Sequence, residues 1–201
     1  MVKSLNQYLL KGLENKHSSN AVKSECLKIY TDVFKRFGPL CLRERQLIDK
    51  SRLMQAISAL IINTVEVSLR KNASSCMGAF AVVLETAALQ TLVNNLLTRA
   101  KTAKAPIDAL VQIQCLSLVA KTVGNKLNPL LTQLIPVLQN FLSQLDPSTS
   151  QEKPNELVEA CLITLEAMLK SMPREMDKWT TNIFERAIDL LQYDPGYTYN
   201  E

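Results

Sequence analysis

Residues 106–142 read PIDALVQIQCLSLVAKTVGNKLNPLLTQLIPVLQNFL. Apolar residues recur every three or four positions on both sides of one break, Gly124 followed by Asn128-Pro129. That spacing predicts two amphipathic helices joined by a turn. Gly124 ends the first helix. Asn128 caps the second, and Pro129 takes its first helical position, where the missing N–H has no partner to lose. Pro136, inside "LIPVL", removes a hydrogen bond from the second helix and predicts a bend there. No strand-like alternation interrupts the stretch.

The same pattern recurs along the chain. "ALVQIQCL" (109–116) has counterparts in "AVKSECL" (21–27), "VEVSLRKNA" (65–73) and "ELVEACL" (156–162). Their valines, Val22, Val67, Val111 and Val158, are spaced by 45, 44 and 47 residues. This period fits two-helix solenoid repeats of the HEAT and armadillo type. The expected fold is an all-α solenoid of about four helix pairs plus a terminal helix. The expected repeats are about 1–38, 39–85, 86–125 and 126–172, with a final helix and tail at 173–201. Gly38-Pro39 reads as the stop of the first pair. The apolar stripe of the helix before it is Val22, Cys26, Ile29, Tyr30, Val33, Phe34 and Phe37; that of the last helix is Met176, Trp179, Ile183, Phe184, Ala187, Ile188 and Leu191. One hairpin cannot cover its own apolar face, so the array depends on contact between neighbours.

Composition agrees with helix. Apolar residues make up 47% of the 201, aromatics 5%, and there are five glycines. The longest charge-free run, between Lys126 and Asp146, holds several Asn and Gln residues and two prolines, which suits an amphipathic helix and not a bilayer. The N-terminus lacks the apolar core and cleavage site of a signal peptide, so the expected location is cytoplasmic and/or nuclear. Cys26, Cys41, Cys76, Cys115 and Cys161 form no CxxC pair and read as small buried thiols.

Little in the chain points to catalysis. The single histidine, His17, lies in a polar turn, and there is no Gly-rich phosphate loop and no metal-ligand spacing. Glu156/Glu159 and Glu175/Asp177 sit where acidic residues complement a helix N-terminus. The expectation is therefore a non-enzyme with no cofactor, no metal and no small-molecule substrate. Charge is uneven: up to Lys126 there are 18 Lys/Arg against 8 Asp/Glu, and after it 5 against 11. The basic residues are not interleaved with aromatics, and no nucleic-acid motif accompanies them; the expected partner is a protein. The candidate contact surface is a strip on the second helices: Lys28, Asp32, Lys35 and Arg36, continued by Arg70 and Lys71. Lys28 and Asp32, four apart, are spaced to pair. In HEAT arrays the second helices usually line the concave side.

The chain ends in AIDLLQYDPGYTYNE, residues 187–201. Tyr193, Asp194, Pro195, Tyr197 and Tyr199 match a Y-D-P-x-Y-x-Y pattern that follows a HEAT helix in the CAND family, the cullin-associated proteins. "IQCLSLVAKTVGNKLNPLLTQLIPVLQNFL" resembles a repeat of that family, with Ile113, Gln114 and Cys115 in place. "SMPREMDKW" resembles the family's C-P-K-E turn, with Met172 in place of cysteine. The resemblance is clear over about residues 105–201. It implies a HEAT scaffold that binds a cullin together with its RING subunit and regulates ubiquitin-ligase assembly, with Tyr193, Tyr197 and Tyr199 as further candidate contact residues. It also implies an acidic insertion after the tyrosines and later repeats linked to adaptor competition, neither of which this chain contains, so it reads as a fragment or a short relative with part of the activity. The tyrosine rings are expected to cap the last helix pair, with Asp194-Pro195-Gly196 turning the chain. The alternative is a HEAT adaptor of another complex, in nuclear transport or trafficking, since those arrays share the period.

Overall fold

The computed structural model describes residues 2–44, 46–143 and 155–192. Among them lie helices α1 (Val2–Glu14), α2 (Asn20–Arg43), α3 (Lys50–Asn63), α4 (Val67–Phe80), α5 (Thr86–Thr102), α6 (Pro106–Val123), α7 (Leu131–Ser143), α8 (Asn155–Ser171) and α9 (Pro173–Gln192), with no strand. They form four antiparallel pairs, α1–α2 to α7–α8, followed by α9.

Local chemistry starts and stops these helices. Ser19 caps α2 by accepting from the Val22 N–H (3.3 Å), and Asp49 caps α3 by accepting from the Arg52 N–H (3.1 Å). Pro106 opens α6, and Gly124 closes it at φ 45°, a conformation that favours glycine. A Cβ on Gly124 would also meet the Ser171 Cβ at 2.8 Å.

Two boundaries depart from expectation. Gly38-Pro39 does not end the second helix. Pro39 lacks the N–H that the Lys35 carbonyl would accept, so the chain leaves helical geometry at Phe37 (φ −122°, ψ 15°) and resumes to Arg43. Gly38 stays within the kinked helix because Val82 packs on it: a Cβ there would lie 2.9 Å from Val82 Cγ1. Asn128-Pro129 does not open the fourth pair either. Residues 124–130 form a 3-10 turn, and α7 begins at Leu131 and runs through Pro136.

Second helices stack on second helices: α2 on α4, α4 on α6, α6 on α8. First helices touch one another far less. The stack therefore opens on the first-helix side and places the second helices on the inner side of a curved array, the geometry of a HEAT-type α-solenoid. Repeat-spaced polar ties reinforce the joints. Arg52 bonds Glu14 between α3 and α1 (Nε–Oε1 2.6 Å), and Asn72 bonds Ser24 between α4 and α2 (2.5 Å). Lys126 and Arg186 each reach 44 residues back, to the carbonyls of Val82 (3.3 Å) and Leu142 (2.7 Å).

One core runs through the stack, from Leu9, Leu10 and Leu13 at one end to Met172, Met176 and Ile183 at the other. Its aromatic centre is Tyr30 stacked on Phe34 (ring centroids 5.7 Å), with Phe34 tilted against Phe80 of α4 (5.2 Å). Pro106–Ser143 is apolar and long enough to cross a bilayer by length and composition, yet it comprises two helices broken at Gly124 and is largely buried in this core.

The expected stripes are only half inward. Cys26, Tyr30 and Phe34 are buried, whereas Val22, Ile29 and Phe37 are exposed. In α9, Met176 and Ile183 are buried but Phe184 and Ile188 are not. The valines that mark the period also differ: Val22 and Val67 are exposed and Val111 is buried. Val22 and Val67 stand at or near the first turn of their helices, while Val111 lies inside α6, so equal spacing does not give them equal places.

Candidate functional site

The inner row of second helices carries the predicted strip. On α2, Ser24, Thr31 and Gly38 face α4: Ser24 bonds Asn72, the Thr31 hydroxyl meets the Cys76 thiol, and Gly38 receives Val82. The side facing α1 is marked by Cys26 against Gly12 and by the Tyr30 hydroxyl, which donates to Asn6 Oδ1 (2.7 Å). Lys28 and Lys35, seven residues apart, lie on the remaining inner side and are exposed. Asp32 is exposed beside them but does not take Lys28: the Lys28 Nζ pairs instead with Glu25 Oε1 at 2.6 Å, three residues back, correcting the expected pairing. Both partners of that pair are more than half exposed, so it contributes little to stability.

Arg36 is turned about 100° from Lys35, towards the open end of the stack beside Ile29. On α4, Lys71 is exposed, next to Asn72 at the α2 joint, and so near the Lys28 end of the strip. Arg70, one position earlier, is turned off that face and half-buried. Lys28, Lys35, Arg36 and Lys71 are thus exposed, and Arg70 is half-buried. Tyr193, Tyr197 and Tyr199, the Asp194-Pro195-Gly196 turn and the 146–154 loop lie outside the described residues.

Sequence reading missed apolar groups beside the basic ones. Val65 is 92% exposed, and Val67 and Ile107 are more than half exposed. Val67 lies one turn before Lys71 on the same face of α4. These residues stand just ahead of apolar helical runs, so periodicity alone assigns them to the core.

Other surfaces offer little chemistry. An open groove of about 1050 Å³ lies between α5 and α7, lined among others by Lys101, Lys104, Pro136, Asn140 and Phe141, with no carboxylate, histidine or thiol among its lining. His17 is exposed, and its backbone N–H donates to the Asn15 side chain (2.9 Å). No three His, Cys, Asp or Glu side chains cluster among the described residues.

The five cysteines are free and buried. Burial disfavours the thiolate and pushes Cys76, Cys115 and Cys161 from the ordinary 9.0 up to about 12. A folded-state value above the unfolded one stabilises the fold fully below the unfolded value and is lost as pH rises through the folded one. Stability is therefore expected to hold below pH 9 and to fall steeply between about 9 and 12, measured by urea titration along a pH series. Thiol alkylation at pH 8 should be at least about tenfold slower for these three cysteines in native protein than in urea.

No family model matches the chain. Curated relatives do. A cullin-associated NEDD8-dissociated protein 1 from Arabidopsis thaliana is 26% identical over 201 residues, covering 98% of this chain and 15% of its own length. The protein of the same name from Dictyostelium discoideum is 22% identical over 200 residues, again covering 98% and 15%. A cullin-associated NEDD8-dissociated protein 2 from Mus musculus is 28% identical over 184 residues, covering 90% and 14%. The chain is thus similar to cullin-associated proteins along nearly its whole length, not only over residues 105–201, and spans about one seventh of the relatives it matches.

Proposed function

We propose that this chain is a protein-binding HEAT scaffold that binds the cullin–RING core of a ubiquitin ligase and takes part in regulating its assembly, without catalysis of its own. The observation that carries this reading is the likeness to proteins named as cullin-associated, maintained through successive helix pairs and not at one motif. The exposed face of α2 and α4, which carries Lys28, Lys35 and Lys71 and, at its Asn20 end, Val67, offers such a partner basic and apolar contacts. The tyrosines Tyr193, Tyr197 and Tyr199 are further candidate contacts. The partner surface is then acidic, and the complex forms in the cytoplasm or nucleus.

Pull-down of cullin–RING complexes, neddylated and not, beside unrelated baits from transport and trafficking assemblies, tests the reading. Retention of the cullin at micromolar concentration supports it. Retention of another bait alone favours the adaptor alternative.

Charge reversal should act mainly on association. The double change Lys28→Glu and Lys35→Glu is expected to slow association with the cullin–RING complex about tenfold at low salt, with the difference shrinking as salt rises. Its circular dichroism should match that of the parent, since both side chains are exposed. A salt-independent, unchanged rate would remove the basic strip from the interface.

A further inference from the structure

Second helices pack closely at every joint, while first helices stand apart. Between α5 and α7 that separation opens the groove of about 1050 Å³. Its volume is that of the largest small-molecule pockets, about 1,000 Å³, but it is open to solvent, which suits a segment of chain laid in it. Its floor is apolar: Leu97 and Ala100 of α5, Val137 and Phe141 of α7. Its walls carry amides. Asn94, Gln133 and Asn140 are exposed along it, and each side-chain amide both donates and accepts. Pro136, on the same wall, has no N–H to give the Thr132 carbonyl, so an acceptor there lacks its usual intrahelical donor. From Thr132 to Asn140 the α7 wall runs about 12 Å, the length of roughly four extended residues.

Charge in this groove has one sign. Lys101 and Lys104 are exposed in it, and no carboxylate belongs to its lining. Asp108 and Glu156 are next in sequence to lining residues but are not part of it. The pattern is wider than the groove. The first helices α3, α5 and α7 contain no Asp or Glu, whereas α8 holds Glu156, Glu159 and Glu166. A second hollow, between α3 and α5, adds Arg99 beside the amides of Asn63 and Asn95, again with no carboxylate. Cations in the last turn of α5 complement its dipole, but the dipole gives no reason for α3 and α7 to lack acids.

We propose that the groove between α5 and α7 binds an extended acidic segment of another protein. Its backbone bonds the amides of Asn94, Gln133 and Asn140, its apolar side chains rest on the floor, and its carboxylates meet Lys101 and Lys104. A nucleic acid would satisfy the charge, but the lining offers bases one aromatic ring, Phe141, on which to stack. The groove lies on the first helices, away from the second-helix row, so the proposal does not depend on cullin binding.

Selection from a displayed library of random eight-residue peptides on the 201-residue chain tests this, with the Lys101→Glu/Lys104→Glu chain as counter-bait. Asp and Glu are expected to be enriched among peptides that the parent retains and the counter-bait does not. The strongest of them, labelled with fluorescein, should bind with an affinity that falls as salt rises. Asn140→Trp, which fills the groove without changing charge, should weaken it at least about tenfold. Lys28→Glu/Lys35→Glu should leave it unchanged. All these side chains are exposed, so helical circular dichroism should match that of the parent. An absence of acidic enrichment overturns the proposal. So does an equal loss on Lys28→Glu/Lys35→Glu, which would mean attraction by overall charge, or full affinity on Asn140→Trp, which would put the peptide elsewhere. Displacement by an equal concentration of oligouridylate would make the groove a nucleic-acid site and overturn it too. So would displacement by a peptide of residues 144–154, which would assign the groove to the chain's own segment.

Discussion

Phe80→Ala is expected to destabilise the protein by about 3–5 kcal/mol, the range for removing a buried aromatic ring from a packed core. Phe80 is fully buried and its ring meets that of Phe34, which stacks on Tyr30. One substitution therefore opens a cavity at the seam between the first two helix pairs. A typical domain is stable by only about 5–15 kcal/mol, so the loss is a large share of the whole. In a solenoid the effect should also be local, because each pair contacts only its neighbours. Hydrogen exchange is expected to speed up through α2 and α4 while α6 and α8 keep most of their protection. An equal loss of protection in α8 would show a single cooperative core and contradict neighbour-by-neighbour coupling.

Gly78→Val should cost about 3 kcal/mol, at the upper end of the usual overpacking range. A Cβ at this position would lie 2.8 Å from the Leu118 Cβ and 3.1 Å from the carbonyl carbon and oxygen of Leu118. Backbone cannot rotate out of the way, so the whole α4–α6 joint must open. Helix propensity pulls the other way: glycine to alanine inside a helix gains about 1 kcal/mol. Gly78→Ala should therefore lose less than valine but still lose, since the steric term exceeds the propensity gain. Gly12→Ala serves as the control. Its new Cβ would meet only side-chain atoms, Cys26 Sγ at 2.8 Å and Val22 Cγ1 at 3.9 Å, and its net change should stay within about 1 kcal/mol. Urea midpoints at constant slope measure all three.

How far these features were legible from sequence differs by level. Helix existence and pairing were legible, because apolar spacing near 3.6 residues recurs with a 45-residue period and Gly124 marks a helix end. Helix facing was not. Val22, Ile29, Phe37, Phe184 and Ile188 share the spacing of core residues, yet are exposed. Periodicity gives the width of an apolar stripe, not how many neighbours cover it. Gly38 was misread as a stop because its reason for being glycine, the approach of Val82 from 44 residues away, is a tertiary contact. The basic strip was legible as composition, but its exposure was not: Arg70 and Lys71 are adjacent in sequence, yet Lys71 is exposed and Arg70 half-buried.

Under the proposed function, stacked hairpins present their second-helix row to a cullin. Hydrogen exchange of the 201-residue chain, alone and saturated with un-neddylated cullin–RING complex, tests it most directly. Slower exchange concentrated in α2 and α4, around Lys28–Lys35 and Val67–Lys71, with α3 and α5 unchanged, is the predicted result. Protection confined to the first helices, or none at concentrations that saturate the complex, would contradict it.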